Sequence, residues 1–159
     1  MRTASIHELK KEMSIKNAGE LLEICLRLAK FKKENKELVT YLLFEAHDQV
    51  GFIEGVKAEV LELFEGLSGQ DYLMKKGLRK ILRITNKYIR YASSKEVEVE
   101  LLLFFCTQIQ DRRLPLHRST QMKNIYDNQV KKVRQAVLGL HEDLQYDYLK
   151  SVLALGNGM

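Results

Sequence analysis

The residues with the clearest chemical potential are cationic side chains that recur at short intervals between positions 76 and 90. At about 100° per residue of an α-helix, with Lys76 as the origin, all six fall within about 60° of one line. No acidic residue occurs between Asp71 and Glu96. Such a line of charges can follow a phosphate backbone or an acidic protein surface. We call these residues the basic face: Lys76, Arg79, Lys80, Arg83, Lys87 and Arg90.

Two arginines of the basic face and two tyrosines beside it extend this hypothesis to RNA or DNA. The planar guanidinium groups of Arg83 and Arg90 can hold a phosphate through two hydrogen bonds. Tyr88 and Tyr91 flank the line, where aromatic rings can stack on the bases of a single strand. The sequence therefore offers nucleic acid or an acidic protein as the partner of this face.

Three other interpretations of the basic face remain open. It can be a solvated surface without a partner. It can pair with the acidic side of the preceding helix, at Glu59, Glu62 and Glu65. It can also lie on an anionic membrane, but the apolar side of the same helix is needed for the core, so this interpretation is the weakest.

A second polar cluster suggests a metal site near the C-terminus. Asp143 and Asp147 are four residues apart, so they share one side of a helix, and His141 is close in sequence. Two carboxylates beside an imidazole can hold a divalent cation. The alternative is that Glu142 and Asp143 occupy the first turn of a helix, where acidic side chains complement the helix dipole.

Other signs of catalysis are absent from the sequence. It contains no Gly-rich phosphate loop, no G-x-S-x-G, no H-E-x-x-H and no C-x-x-C. Cys25 and Cys106 lie in separate apolar runs, which indicates buried free thiols in a reducing cytosol. We therefore expect a protein that is not an enzyme and needs no cofactor.

One apolar segment organises the elements that would position these residues. Positions 101–106 read L-L-L-F-F-C, and six consecutive apolar residues point in every direction around a helix. The run is too short for a membrane span, which needs about 20 apolar residues. It predicts a central core helix, capped at Ser94, that other helices cover.

Apolar residues at three-and-four spacing predict helices along the rest of the chain. Ser5 and Glu8 form a capping box for the first helix, Asn35 caps the third, Asp48 the fourth and Asp71 the fifth. Gly139 breaks a near-heptad run that begins at Met122, and residues 156–158 end the last helix. Besides the central helix and the run from Met122, the predicted helices are 5–12, 18–31, 36–46, 48–67, 72–92 and 142–155.

Helices in hairpins without a strand signal predict an all-α fold. We expect a single domain, residues 1–159, arranged as an irregular right-handed α-α stack of helical hairpins around the central apolar helix. An up-and-down helical bundle is the alternative. Residues 111–119, with the only proline, read as a linker before a C-terminal helical pair.

Two segments carry a resemblance to a known family. Residues 22–46, L-E-I-C-L-R-L-A-K-F-K-K-E-N-K-E-L-V-T-Y-L-L-F-E-A, and residues 140–148, L-H-E-D-L-Q-Y-D-Y, resemble a family of small uncharacterised all-helical proteins from bacteria. Together they cover roughly a fifth of the chain. The resemblance implies no activity and no catalytic residue.

These observations lead to three functional hypotheses. The first is a non-catalytic helical protein-interaction module whose partner is another protein or a second copy. The alternative is an RNA- or DNA-binding accessory protein that uses the basic face with Tyr88 and Tyr91. The third is a metal-dependent enzyme at His141, Asp143 and Asp147. The N-terminus lacks an apolar leader, so we expect a cytoplasmic protein without a membrane partner.

Overall fold

The computed structural model describes residues 1–156, and this part of the chain is all-α, as predicted, with no β-strand. A π-helical turn at Tyr41–Glu45 and a short 3-10 helix at Leu116–Arg118 accompany the α-helices. The helices are α1 (Ile6–Ser14), α2 (Ala18–Phe31), α3 (Lys33–Thr40), α4 (Gln49–Glu65), α5 (Asp71–Ala92), α6 (Lys95–Asp111), α7 (Thr120–Leu138) and α8 (Glu142–Gly156).

The chain divides into two compact units, Met1–Phe44 and Glu45–Met159. The expected linker at 111–119 is therefore not where the chain divides. It runs within the second unit, where Leu114, Pro115 and Leu116 are half-buried rather than solvated. This segment connects α6 to α7 and contains the short 3-10 helix.

The first unit consists of α1, α2, α3 and the first four residues of the π-helical turn, of which Tyr41 is buried. Ser5 caps α1 in the predicted capping box with Glu8, and Asn17 caps α2 in the same way with Glu20. Helices α2 and α3 pack as a hairpin, joined by Lys32 in extended conformation.

The predicted role of Asn35 is wrong. Helix α3 begins at Lys33, so Asn35 lies inside it. The side-chain amide of Asn35 donates a hydrogen bond of 2.9 Å to the carbonyl oxygen of Leu28. That bond satisfies a carbonyl near the end of α2. The helix predicted over 36–46 is instead the second part of α3 followed by the π-helical turn.

The second unit is built around α6, which packs against α4, α5, α7 and α8 and so confirms the predicted central helix. The ring of Phe105 is fully buried and lies 5.6 Å from the ring of Phe64, centre to centre. Leu103 and Phe104 are only half-buried, so the apolar run is covered unequally around its circumference. The buried residues of α6 are Val97, Val99, Leu101, Leu102, Phe105, Cys106 and Ile109.

Capping side chains set the starts of most helices in this unit. Asp48 accepts from the Gly51 amide at 2.9 Å, and Ser94 accepts from the Val97 amide, as predicted. Asp71 is not the cap of α5: Gln70 holds that position without a side-chain bond. Asp71 is the first helical residue, where its carboxylate still complements the helix dipole.

Helices α7 and α8 pack against each other after the connection at 111–119. Met122, Tyr126 and Val133 of the near-heptad run are buried, and the Tyr126 hydroxyl donates 2.9 Å to the carbonyl of Leu155. Burial raises the pKa of Tyr126 to about 12. Of the predicted stop at residues 156–158, Gly156 is still helical, and 157–158 lie outside the described residues. The handedness of the stack stays a prediction.

One polar cluster ties three helices together on the less covered side of α6. The Lys57 ammonium on α4 donates a hydrogen bond of 2.8 Å to one carboxylate oxygen of Glu100 on α6. The Tyr148 hydroxyl on α8 donates a hydrogen bond of 2.5 Å to the other oxygen. Burial by itself raises the pKa of the Glu100 carboxyl, but the bonds from Lys57 and Tyr148 outweigh it and hold that pKa below its usual value. Glu100 is therefore ionised at neutral pH and links α4 to α8.

Truncation of Phe105 tests the central position of α6. Because the ring is fully buried, we expect Phe105→Ala to lower the free energy of unfolding by about 3–5 kcal/mol. Phe104→Ala is the matched control, and its half-buried ring should cost clearly less. Urea melts of both variants measure the difference, and equal losses would mean that α6 is not buried as described.

Replacement of Glu100 tests the polar cluster. We expect Glu100→Gln to lower stability by about 1–3 kcal/mol near pH 7, because Lys57 loses its charged acceptor. A carboxyl whose pKa is lowered by folding stabilises above its unfolded pKa of about 4.3, and this contribution is lost as pH falls through the folded value. The gap between wild type and variant should therefore be full near pH 7 and narrow at acidic pH, as the pH falls below that unfolded value.

The control is Glu98→Gln, which removes only an i,i+3 pair with exposed Lys95 and should cost at most about 1 kcal/mol. Urea melts at both pH values give the comparison. A Glu100→Gln loss that stayed the same at acidic pH would show that charge is not the source of the stabilisation.

Candidate functional site

The basic face lies on α5 because the opposite side of this helix faces the core. Met74, Leu78 and Ile81 are buried. Thr85 is buried too, and its hydroxyl donates a hydrogen bond of 3.0 Å to the carbonyl of Ile81. With the core side filled, the remaining side chains point to solvent. Lys87 is half-buried, and the other five cations of the basic face are exposed.

Helix α5 accounts for the entire net positive charge of the protein. It contains seven cations, the basic face plus Lys75, and one acid, Asp71, a net charge of +6. The full chain has 26 cations and 21 acids, a net charge of +5. The 19 cations and 20 acids outside α5 therefore sum to −1. A positive potential of the protein thus originates from one helix.

The exposed cations of this face are not neutralised by the preceding helix. Within residues 1–156, no ion pair shorter than 4.0 Å joins Glu59, Glu62 or Glu65 of α4 to an exposed cation of the basic face. Glu59 instead accepts a hydrogen bond of 2.6 Å from the hydroxyl of Tyr88. Arg79 donates a hydrogen bond to the side chain of Gln121 on α7. Lys76, Lys80, Arg83 and Arg90 have no side-chain partner in the described part of the chain.

The two tyrosines expected to stack on bases are engaged within the protein. Tyr91 is only 9% exposed, and its ring meets the ring of Tyr88 edge-on at 6.0 Å. The Tyr88 ring is half-buried, with Phe52 at its other side and the Lys87 ammonium 4.6 Å from its centre. The ring of Tyr91 is therefore closed to a base, and the Lys87 ammonium lies over one face of the Tyr88 ring.

An open groove of about 780 Å³ lies between the end of α4 and the start of α5. Its apolar lining includes Leu63, Leu67 and Leu73, and Tyr72 stands at its edge with 70% of its surface exposed. The cations on its border are Lys75, Lys76, Arg79, Lys80 and Arg83, and the only acid is Glu62. We call this feature the α4–α5 groove.

Gly77 shapes the α4–α5 groove. A Cβ at this position would lie 2.3 Å from Cδ2 of Leu67, so glycine lets Leu67 pack directly on α5. This groove was not predicted from the sequence. Two features pointed to it: a glycine inside a strongly patterned helix, and the apolar pair Tyr72 and Leu73 beside the core positions.

The structure does not gather the three residues of the predicted metal site, His141, Asp143 and Asp147, into one group of ligands. His141 Nδ1 lies 3.4 Å from Asp143 Oδ2, but both side chains are largely solvated, and Asp147 is exposed one turn further along α8. No group of three or more His, Cys, Asp or Glu side chains in residues 1–156 is placed to hold a metal. Glu142 and Asp143 lie in the first turn of α8, which is the alternative arrangement.

A second surface appears in the first unit, where the helices leave their apolar side chains uncovered. None of α1, α2 and α3 contains a buried residue. Twelve large apolar side chains are exposed in residues 1–44, against seven in the much longer described part of the second unit. The twelve are Met1, Ile6, Leu9, Met13, Ile15, Leu22, Leu26, Leu28, Phe31, Leu42, Leu43 and Phe44.

Comparison of the chain with protein-family models, with curated proteins and with solved structures finds no match. The resemblance to small bacterial helical proteins therefore stays a prediction. None of the helices described in residues 1–156 is long and apolar enough to cross a membrane.

Charge reversal at two of the unpartnered cations tests the geometry of the basic face. We expect Lys80→Glu with Arg83→Glu to change the free energy of unfolding by no more than about 0.5 kcal/mol, because both side chains are exposed and break no ion pair. Thermal and urea melts measure this. A loss well above 1 kcal/mol would instead support pairing with the acidic side chains of α4.

Proposed function

We propose that this chain is a non-catalytic helical protein-interaction module that associates with a second copy of itself through the apolar side chains of its first unit. The observation that carries the proposal is the uncovered apolar surface of α1, α2 and α3. The residues with catalytic potential add no competing support, since His141, Asp143 and Asp147 are solvated and do not converge.

Helix α2 is apolar over more than half of its circumference. At about 100° per residue its apolar positions span roughly 220°. One neighbouring helix covers only part of such an arc, and α3 is the neighbour with which α2 packs in this unit. The apolar positions are Leu21, Leu22, Ile24, Cys25, Leu26, Leu28, Ala29 and Phe31.

The exposed area is of the size that a dimer needs. Complete burial of one large apolar side chain is worth up to about 3 kcal/mol at about 25 cal/mol per Å², which corresponds to roughly 100 Å². The twelve exposed side chains therefore present on the order of 1,000 Å². A stable interface buries about 800 Å² on each partner, and monomers rarely leave so large an apolar area open.

A second copy is the occupant that this surface favours. The first unit carries nine cations and six acids, interspersed along its helices, so two copies can meet without one sign of charge facing itself throughout. Apolar side chains flanked by both signs suit an isologous contact, in which each side chain meets the same surface on the other copy. We also expect the cytoplasm as its compartment, since Cys25 and Cys106 are free thiols.

The two other hypotheses have less support. Nucleic-acid binding by the basic face gains little support from Tyr88 and Tyr91, because both rings make contacts within the protein. Metal-dependent catalysis lacks a preformed group of ligands at His141, Asp143 and Asp147. The apolar surface of the first unit needs no rearrangement to bind a partner.

The two cysteines provide a direct test of self-association. Cys25 is exposed on α2, whereas Cys106 is fully buried on α6 and burial raises its pKa to about 12, so a maleimide should modify Cys25 alone in the folded protein. We expect the labelling rate at Cys25 to fall at least fivefold between about 5 µM and about 500 µM protein, as a second copy covers it. Light scattering after gel filtration should show a dimer over the same range.

The matched variants replace two exposed leucines in each unit. Leu22→Ser with Leu26→Ser should restore fast labelling and give a monomer. Leu138→Ser with Leu153→Ser, which removes two exposed leucines of the second unit, should leave the dimer unchanged. A labelling rate at Cys25 that is independent of concentration, with a monomer mass throughout, would contradict the proposal.

A further inference from the structure

We infer that the α4–α5 groove is a docking site for an acidic amphipathic helix of a partner protein. The apolar side of that helix would enter between α4 and α5, and its carboxylates would meet the basic face. The groove belongs to the second unit, so the inference does not rest on self-association of the first.

The apolar part of the groove matches the anchors of an amphipathic helix. Leu73 is 44% exposed beside half-buried Leu63 and Leu67, which places aliphatic surface within reach of a partner. The groove of about 780 Å³ is open to solvent along α5. It therefore offers aliphatic surface to the apolar side of a partner helix, as in helix-in-groove recognition.

The exposed cations of the basic face lie along one side of α5. Lys76, Lys80 and Arg83 follow one another at intervals of four and three residues, which places them on the same side of the helix. A partner helix lying along α5 would therefore meet them one after another. Lys76, Lys80 and Arg83 also border the groove, so an acidic helix seated there would meet them.

The same surface suits a protein better than a nucleic acid. Aliphatic side chains line the groove, and phosphates gain nothing from them. Glu62 lies in the groove and would repel a phosphate, whereas a helix can place a lysine or a polar residue opposite it. The ring of Tyr72 at the edge already has the Lys75 ammonium 5.5 Å from its centre, which occupies one face of a ring that a base would use.

Binding is measured by fluorescence anisotropy on the full chain with synthetic probes. The first probe is a labelled peptide of about 18 residues with leucines at i, i+3, i+4 and i+7 and glutamates on the other side. A scrambled peptide of the same composition has the same charge but no apolar side. Single-stranded RNA and DNA of about 20 nucleotides are the nucleic-acid probes.

We expect the amphipathic peptide to bind at least about tenfold more tightly than the scrambled one and than either nucleic acid. Leu73→Ser, and separately Arg79→Glu with Arg83→Glu, should each weaken binding about tenfold or more. The matched control is Lys131→Glu with Lys132→Glu, which makes the same change of charge at two exposed cations of α7 and should alter the affinity less than twofold.

A further variant tests the groove without touching a charge. In Gly77→Ala the new methyl group displaces the Leu67 side chain, so we expect weaker peptide binding with unchanged affinity for nucleic acid. Circular dichroism melts establish that each variant is folded.

Several results would overturn the inference. Equal binding of the amphipathic and scrambled peptides would show that the groove recognises only the negative charge of the peptide. Tighter binding of RNA or DNA, unaffected by Leu73→Ser, would assign the basic face to nucleic acid. Absence of binding by all probes at about 100 µM protein would leave the groove without this role. None of these outcomes depends on whether Cys25 is covered in a dimer.

Discussion

The need to cover an all-round apolar helix is the constraint on which the second unit depends. The side chains of α6 point in every direction, so neighbours must stand on all sides of it, and α4, α5, α7 and α8 supply them. The position of α5 follows from this, because its apolar side is required against the core. Its cations are then left on the outer side. The basic face is thus a consequence of how α6 is buried.

The coverage of α6 is incomplete at Leu103 and Phe104, and the polar cluster lies near that gap. Lys57, whose ammonium is 6.0 Å from the centre of the Phe104 ring, reaches Glu100 there, and Tyr148 reaches it from α8. Directional bonds to one carboxylate specify a register that apolar contacts alone leave less defined. The first unit has no equivalent of α6, and α1, α2 and α3 accordingly bury none of their side chains.

Features that arise within one helix could be predicted from the sequence. The caps at Ser5, Asp48 and Ser94 are local hydrogen bonds, so a short polar side chain before an apolar pattern was enough to find them. The basic face could be predicted for the same reason, because the helical period alone places its side chains on one side. The heptad run of α7 was likewise visible in its spacing.

Features that depend on a neighbouring helix could not be predicted. Asn35 resembles a cap, but its amide bonds to the end of α2, which only the hairpin brings close. The contact of Tyr148 with Glu100 joins residues 48 apart in sequence, and the α4–α5 groove forms only when two helices pack across a turn. The need for glycine at position 77 likewise comes from the side chain of Leu67, which lies ten residues earlier, on the other side of a turn.

The second unit covers its own core, and the central proposal is that a second copy of the chain covers the apolar surface of the first unit. Amide hydrogen exchange at a series of protein concentrations tests both statements at once. The account predicts that amides of α6 exchange slowly at every concentration, while those of α2 become protected only as the concentration rises. Protection of α2 that is already complete in dilute solution, and does not change with concentration, would contradict it.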